Sequence, residues 1–205
     1  MITVVDHPLA QHLLTNLRDA ATPPHEFRQL ARTLSTLVVL EATRGITLEE
    51  REVATPVAQS LGHRLAAPLA VVPVLRAGLS MLEPVLELFP DVAVGYIGLE
   101  RSHETAVAHS YYCKLPRLQG RTTLLLDPML ATGGSASQAA QALRSHGAER
   151  VVFVSIVSAP EGVERMRRDH PDVPIFTAAV DQGLNDQKYI VPGLGDYGDR
   201  LYGTP

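Results

Sequence analysis

An apolar run that ends in a carboxylate and opens into small residues is the part of this sequence best suited to chemistry. It reads Leu124-Leu125-Leu126-Asp127-Pro128-Met129-Leu130-Ala131-Thr132-Gly133-Gly134-Ser135. In a parallel sheet, ligands bind beyond the carboxyl ends of the strands. Glycines let the backbone approach closely, and the unshared N–H groups at the start of a following helix attract an anion. Hydroxyls from Thr132 and Ser135 add donors, so a phosphate fits. Asp127, when ionised, only accepts hydrogen bonds and suits the hydroxyls of a sugar. The plain alternative is an ordinary strand-to-helix turn capped by Ser135. A nucleoside-triphosphate loop needs G-x-x-x-x-G-K-[ST], and no lysine follows these glycines.

A second glycine cluster, Gly193-Leu194-Gly195-Asp196-Tyr197-Gly198, matches the dinucleotide pattern G-x-G-x-x-G. That pattern requires a strand before it and a long helix after it. Here Pro192 precedes it and seven residues follow Gly198, so the dinucleotide reading fails. The lone cysteine, Cys113, lies in the strand-like stretch Tyr111–Leu115 and is expected to be a small packing residue, not a nucleophile. Arg165, Arg167 and Arg168 form the densest basic cluster, which fits a solvated helix face.

The elements that would hold these residues follow from apolar spacing. Asp6 is a suitable N-cap for a short helix carrying Leu9, Leu13 and Leu17. A second helix runs from Pro24 to about Thr43, with Phe27, Leu30, Leu34, Leu37 and Val38 along one face. The stretch from Gly45 to Val57 partly alternates, as a two-stranded arm would. Leu69–Leu75, Val92–Leu99, Thr122–Leu126, Val151–Val157 and Ile175–Val180 are continuous apolar runs, which suggests strands buried on both faces. Ala136, Ala139, Ala140 and Leu143 share a helical stripe that Gly147 is placed to end. Ser158 and Glu161 read as a capping box with Pro160 in the first turn. Pro84 leaves the start of a helix within Leu79–Phe89 open. Strands alternating with helices imply an α/β fold with a parallel sheet flanked by helices, in one domain over residues 1–205.

Composition limits the function classes. With 205 residues, 45% apolar and 20% charged, the chain can build its own core without disulfides or metals. One cysteine suits a reducing, cytoplasmic setting. The first basic residue is Arg18, so no signal-peptide start is expected, and no apolar run reaches the ~18 residues of a membrane span. A formal charge of −4 argues against a general grip on nucleic acid.

Asp127–Ser135, DPMLATGGS, resembles the phosphoribosyl-pyrophosphate (PRPP) loop of uracil phosphoribosyltransferases. Three further segments are similar to that family: Val74-Leu75-Arg76-Ala77-Gly78-Leu79, Asp181-Gln182-Gly183-Leu184-Asn185, and Tyr189 through Asp196, continuing by Gly198-Asp199-Arg200 to Gly203-Thr204. Their order and spacing agree over nearly the whole chain. The resemblance implies a type I phosphoribosyltransferase-like fold with a small β-arm and a C-terminal base-binding hood. It implies transfer of a phosphoribosyl group from PRPP to uracil, giving UMP and diphosphate in pyrimidine salvage.

It implies that the loop from Asp127 through Pro128, Met129, Leu130 and Ala131 to Thr132, Gly133, Gly134 and Ser135 binds PRPP. Thr132–Ser135 would hold the 5′-phosphate and Asp127 the ribose hydroxyls. Arg76, Arg101 and Asp196 would complete that site, the arginines as cations beside the diphosphate; the plain alternative for each is a solvated strand-end arginine. Uracil would be read by Ile190, Gly195, Asp196 and Tyr197, largely through main-chain groups, with no single side chain as general base. Asp196 could instead form only an Asx turn, and Asp199 and Arg200 are read as structural. Mg²⁺ would ride on the diphosphate of PRPP without a dedicated protein cluster. Family members form homodimers or larger homo-oligomers, and some respond to GTP.

Three departures from the family stand out. Tyr197 occupies a position where alanine is common, so its ring could narrow the pocket. Lys188 replaces a usual glycine. Residues 102–110 diverge and are expected to form a flap over the substrate; His103 and His109 within it are read as exposed loop histidines, not a base or metal pair. Two other readings stay open: an RNA-binding regulator of pyrimidine genes on the same fold, and a phosphoribosyltransferase for another base.

Overall fold

The structure, a computed structural model, describes residues 1–101 and 108–204. In chain order it comprises β1 (Ile2–Val4), α1 (Pro8–Arg18), α2 (Pro24–Thr43), β2 (Leu48–Ala54), β3 (Gln59–Leu65), β4 (Leu69–Leu75), a 3₁₀ turn (Ala77–Met81), α3 (Leu82–Leu88), β5 (Ala93–Val94), β6 (Tyr96–Arg101) and β7 (Ala108–Lys114). Then follow β8 (Thr122–Leu126), β9 (Met129–Leu130), α4 (Gly134–Ser145), β10 (Arg150–Val154), β11 (Val157–Ser158), α5 (Pro160–Asp169), β12 (Ile175–Thr177), β13 (Ala179–Val180), β14 (Gly183–Leu184), β15 (Ile190–Val191) and α6 (Tyr197–Tyr202).

The main sheet runs β1-β12-β10-β8-β4-β6-β7, with β5 also on β4; its pairs are parallel except β6 with β7. Its central strands are buried on both faces, so their sequences show no alternation. Leu124 and Leu126 join Val71, Val152 and Val154 in a core covered by α1, α2, α3 and α6. Leu125 joins Ala70, Val72, Val151 and Phe153 in a second core under α4 and α5. Each leucine of β8 is fully buried and contributes about 1.5–3 kcal/mol. The central strand that ends at Asp127 is thus held from both sides.

Several expected elements differ in detail. The N-cap of α1 is His7, whose Nδ1 accepts from the Leu9 amide, so Asp6 is not the cap. The arm is a hairpin of β2 and β3 over Leu48–Leu65, extending past the expected Val57. The run through Pro84 begins as a 3₁₀ turn and becomes α3 at Leu82. Cys113 is exposed on edge strand β7, so it is not a packing residue.

The runs 151–157 and 175–180 are not single strands. Each breaks, and β9, β11 and β13 form a second parallel strip beyond the ends of β8, β10 and β12. Buried hydroxyls fasten the break: Ser155 Oγ lies 2.9 Å from Ser158 Oγ, which donates to Thr177 Oγ1 at 3.2 Å. This overturns the expected capping box. Ser158 is engaged in that network, the N-cap of α5 is Ala159 without a side-chain bond, and Glu161 accepts from the Leu184 amide instead.

Candidate active site

Pro128 turns the chain out of β8; it cannot donate, but its carbonyl accepts from the amides of Ile156 and Val157 at 2.9 and 3.0 Å. The loop beyond it is therefore anchored to β11 before it reaches α4. Gly133, at φ 74°, is the N-cap of α4. A Cβ there would sit 2.9 Å from the Gly162 carbonyl, so glycine is required by both conformation and contact. The N-cap is this glycine, and Ser135 lies inside the first turn of α4, so Ser135 is not the cap. The first amides of α4 open on a hollow lined by Asp127, Met129, Gly133, Gly134 and Ser135 among others. Such a helix start is favourable for an anion.

The turn after β4 abuts the same strand end. Gly78 lies so near that a Cβ would be 2.5 Å from the Leu126 carbonyl. This draws Ala77 to the mouth of the site and leaves Arg76 exposed beside it. The carbonyl of Arg76 accepts from the Leu79 amide at 3.1 Å and the Tyr202 hydroxyl at 3.3 Å.

The tail closes the third side. Asp181 pairs bidentately with Arg18 at 2.6 and 2.8 Å, and also accepts from the Gly193 amide at 2.8 Å. Asn185 and Tyr189 close the turn between β14 and β15 by exchanging hydrogen bonds of 2.9 Å. Lys188 in this turn has φ 67°, a left-handed conformation that glycine would adopt at less cost. Asp196 caps α6, accepting from the Asp199 amide at 3.0 Å. Arg200 donates to the carbonyls of Leu17, Asp19 and Leu194 and lies 4.5 Å over the Phe27 ring, which makes it structural.

Together these segments enclose a cavity of about 260 Å³ lined by Ala77, Asp127, Met129, Ala131, Lys188, Tyr189, Ile190, Gly195, Asp196, Tyr197 and Gly198. Asp127, Met129 and Ala131 line this cavity and the hollow before α4 alike, so the two are adjoining parts of one site. A larger hollow of about 590 Å³ opens beneath the arm, between Glu49 and Arg64 and the segment Leu88–Val92. It lies at the opposite end of β4 from these loops, so its size carries no functional weight.

The family model for uracil phosphoribosyltransferase matches residues 4–204. The chain belongs to the uracil phosphoribosyltransferase family. It is 51% identical over 204 residues to a uracil phosphoribosyltransferase of Roseiflexus sp. (strain RS-1), covering 99% of this chain and 98% of that protein. Among solved structures it is similar to the AQ2163 protein from Aquifex aeolicus, with a TM-score of 0.94, 41% identity and 98% of each chain covered. An orotate phosphoribosyltransferase from Mycobacterium tuberculosis H37Rv, solved with PRPP, aligns over 85% of this chain and 90% of its own. Its TM-score of 0.52 at 14% identity shows a shared fold alone.

Within this family frame, the residues expected from sequence fall into groups. Asp127, Ile190, Gly195, Asp196 and Tyr197 line one cavity, and Gly133, Gly134 and Ser135 the adjoining hollow. Thr132 lies between, its Oγ1 accepting from the Gly134 amide at 3.4 Å. Pro128 and Leu130 are buried and act as supports. Arg101 ends β6, and β6 neighbours β4, whose end carries Arg76. The expected flap, with His103, falls largely outside the described residues; His109 has its backbone in β7.

The ring of Tyr197 packs into the core. It is buried edge-on against Phe27, 5.2 Å between centroids, with its hydroxyl 2.9 Å from Ser80 Oγ. Burial pushes the phenol well above its ordinary pKa, partly offset by the Ser80 bond, so it stays protonated. Sequence reasoning missed Arg18, Ser80 and Tyr202, whose roles depend on partners 126 to 163 positions away or, for Ser80, 117.

Proposed function

We propose that this chain, acting as one catalytic domain, transfers the phosphoribosyl group of PRPP to uracil, releasing UMP and diphosphate. One observation carries the reading: Asp127 lies at the junction of an anion-favouring helix start and a slot walled by the tail. A phosphorylated sugar bridging the two would place its 5′-phosphate at the first amides of α4 and its hydroxyls at Asp127. Its anomeric carbon would then face Ile190 and Gly195–Tyr197. Backbone N–H and C=O groups can meet the donor–acceptor edge of a flat pyrimidine, and cytosine would leave groups unpaired.

The reaction breaks the bond from C1 to the diphosphate oxygen, whose electron pair leaves with the diphosphate. The uracil nitrogen then bonds to C1 and releases its proton. Positive charge on the ribose in between is balanced by the Asp127 carboxylate. Arg76 and Arg101 stabilise the departing diphosphate, an electrostatic effect of about several kcal/mol. Holding both substrates in line contributes up to roughly 7–11 kcal/mol.

Among the described residues, no group of three or more His, Cys, Asp or Glu stands together as a metal site. Two carboxylates, Asp127 and Asp196, do face the cavity. That set fits Mg²⁺, which keeps several waters and takes most of its oxygen ligands from a substrate phosphate. When bound it would neutralise diphosphate charge.

The exposed apolar side chains of the arm, Leu48, Val53, Val57 and Leu61, support self-association. The function is tested by incubating the pure protein with PRPP, Mg²⁺ and a panel of uracil, cytosine, orotate and hypoxanthine. UMP from uracil is the expected product. Failure to form UMP, or faster turnover of another base, would overturn the assignment.

A further inference from the structure

Resting on that reading of the site, we infer that Tyr197 is a positioning residue whose hydroxyl, through Ser80, ties the base-reading loop to the turn that presents Arg76. The geometry comes from two directions. Tyr197 belongs to the base side: it lines the cavity between Asp196 and Gly198. Its side chain is buried, the residue being 3% exposed, and ends 2.9 Å from Ser80 Oγ. Ser80 belongs to the diphosphate side: its hydroxyl donates to the Ala77 carbonyl at 2.9 Å, inside the 3₁₀ turn that follows Arg76. Since Ser80 donates to Ala77, it receives the Tyr197 hydroxyl proton, giving the chain Tyr197 to Ser80 to Ala77.

Two features make this link stiff. The Tyr197 ring is held edge-on by Phe27, and Phe27 is fully buried in α2. On the other side, Gly78 sits against the Leu126 carbonyl, so the turn lies directly on the strand that ends at Asp127. A second tyrosine of α6, Tyr202, reaches the Arg76 carbonyl at 3.3 Å. Short helix α6 thus touches the Arg76–Ser80 segment at both ends, and a shift of the tail on taking up a base is passed to the arginine turn.

The consequence is a dependence of each substrate's binding on the other, carried by one hydroxyl pair. The test uses the full-length protein and four forms: wild type, Tyr197→Phe, Ser80→Ala and the double variant. Phenylalanine keeps the ring on Phe27, so the fold survives, and Ser80→Ala removes the same link from the other side. The KM of uracil is measured at low and saturating PRPP, and the KM of PRPP at low and saturating uracil, with thermal melting in parallel. Each single variant is expected to weaken the mutual dependence about threefold to tenfold, the range of one lost buried hydrogen bond. The double variant is expected to add little to either single one. Three results would overturn the inference: unchanged mutual dependence, a lowered melting temperature as the sole effect, or additive losses in the double variant. If the wild-type protein makes no UMP, it is the reading of the site that fails, not the link.

Discussion

The two halves of the site are built on different principles. The cradle, Asp127–Ser135, continues a strand buried on both faces and enters a twelve-residue helix, so its shape is inherited from the core. The tail, from Asp181 to Gly198, contains only two-residue strands and a six-residue helix. It is held instead by long-range side-chain bonds from Arg18, a bond from Arg200 to the Leu194 carbonyl, and left-handed turns at Lys188, Gly193 and Gly195. A phosphate group is common to many ligands and suits a rigid, generic cradle. A base must be distinguished from its relatives, and a tail fastened by a few specific bonds can be reshaped without disturbing the core.

Substitutions should separate these halves. The largest effect is expected from Asp127→Asn, which removes the charge proposed to face the ribose hydroxyls. At about 1.5–3 kcal/mol per charged hydrogen bond, kcat/KM should fall by about a hundredfold or more while the melting temperature moves little. Comparable losses in both would make Asp127 a structural residue. Gly133→Ala should come next, because a Cβ at φ 74° would press on the Gly162 carbonyl. A cost of about 2–3 kcal/mol would lower the melting temperature by roughly 5–10 °C, with a raised KM for PRPP.

On the tail side, Arg18→Ala should cost about 2 kcal/mol, since it strands the buried Asp181 carboxylate while part of the pair is already exposed. Steady-state kinetics should show a raised KM for uracil and a nearly unchanged KM for PRPP. Equal changes in both would erase the proposed division between cradle and tail. The smallest effect is Lys188→Gly, which relieves a left-handed lysine and should stabilise by about 0.5–1 kcal/mol in thermal melts.

The legible parts of the molecule were those whose signal is local or continuous. The bounds of α2, β4 and β8 agree with their apolar runs, because burial of both faces writes itself into consecutive residues. The cradle was legible because its glycines sit beside a strand end in sequence as well as in space. Errors came where one residue had two possible partners. Ser158 suited a capping box by spacing, yet the buried hydroxyls of Ser155 and Thr177 claimed it. His7 took the cap that Asp6 could have filled, two residues before the Leu9 amide it accepts.

Taken alone, the sequence determined the layered α/β order, the anion-favouring cradle and the family, since each depends on residues close in the chain or on a pattern spread over its whole length. Tertiary structure decided where the Tyr197 ring goes, what anchors the tail and how the central strands break. Those outcomes turn on which distant donor meets which acceptor once the core has closed, and a hydrogen bond leaves no periodic trace in the sequence that makes it.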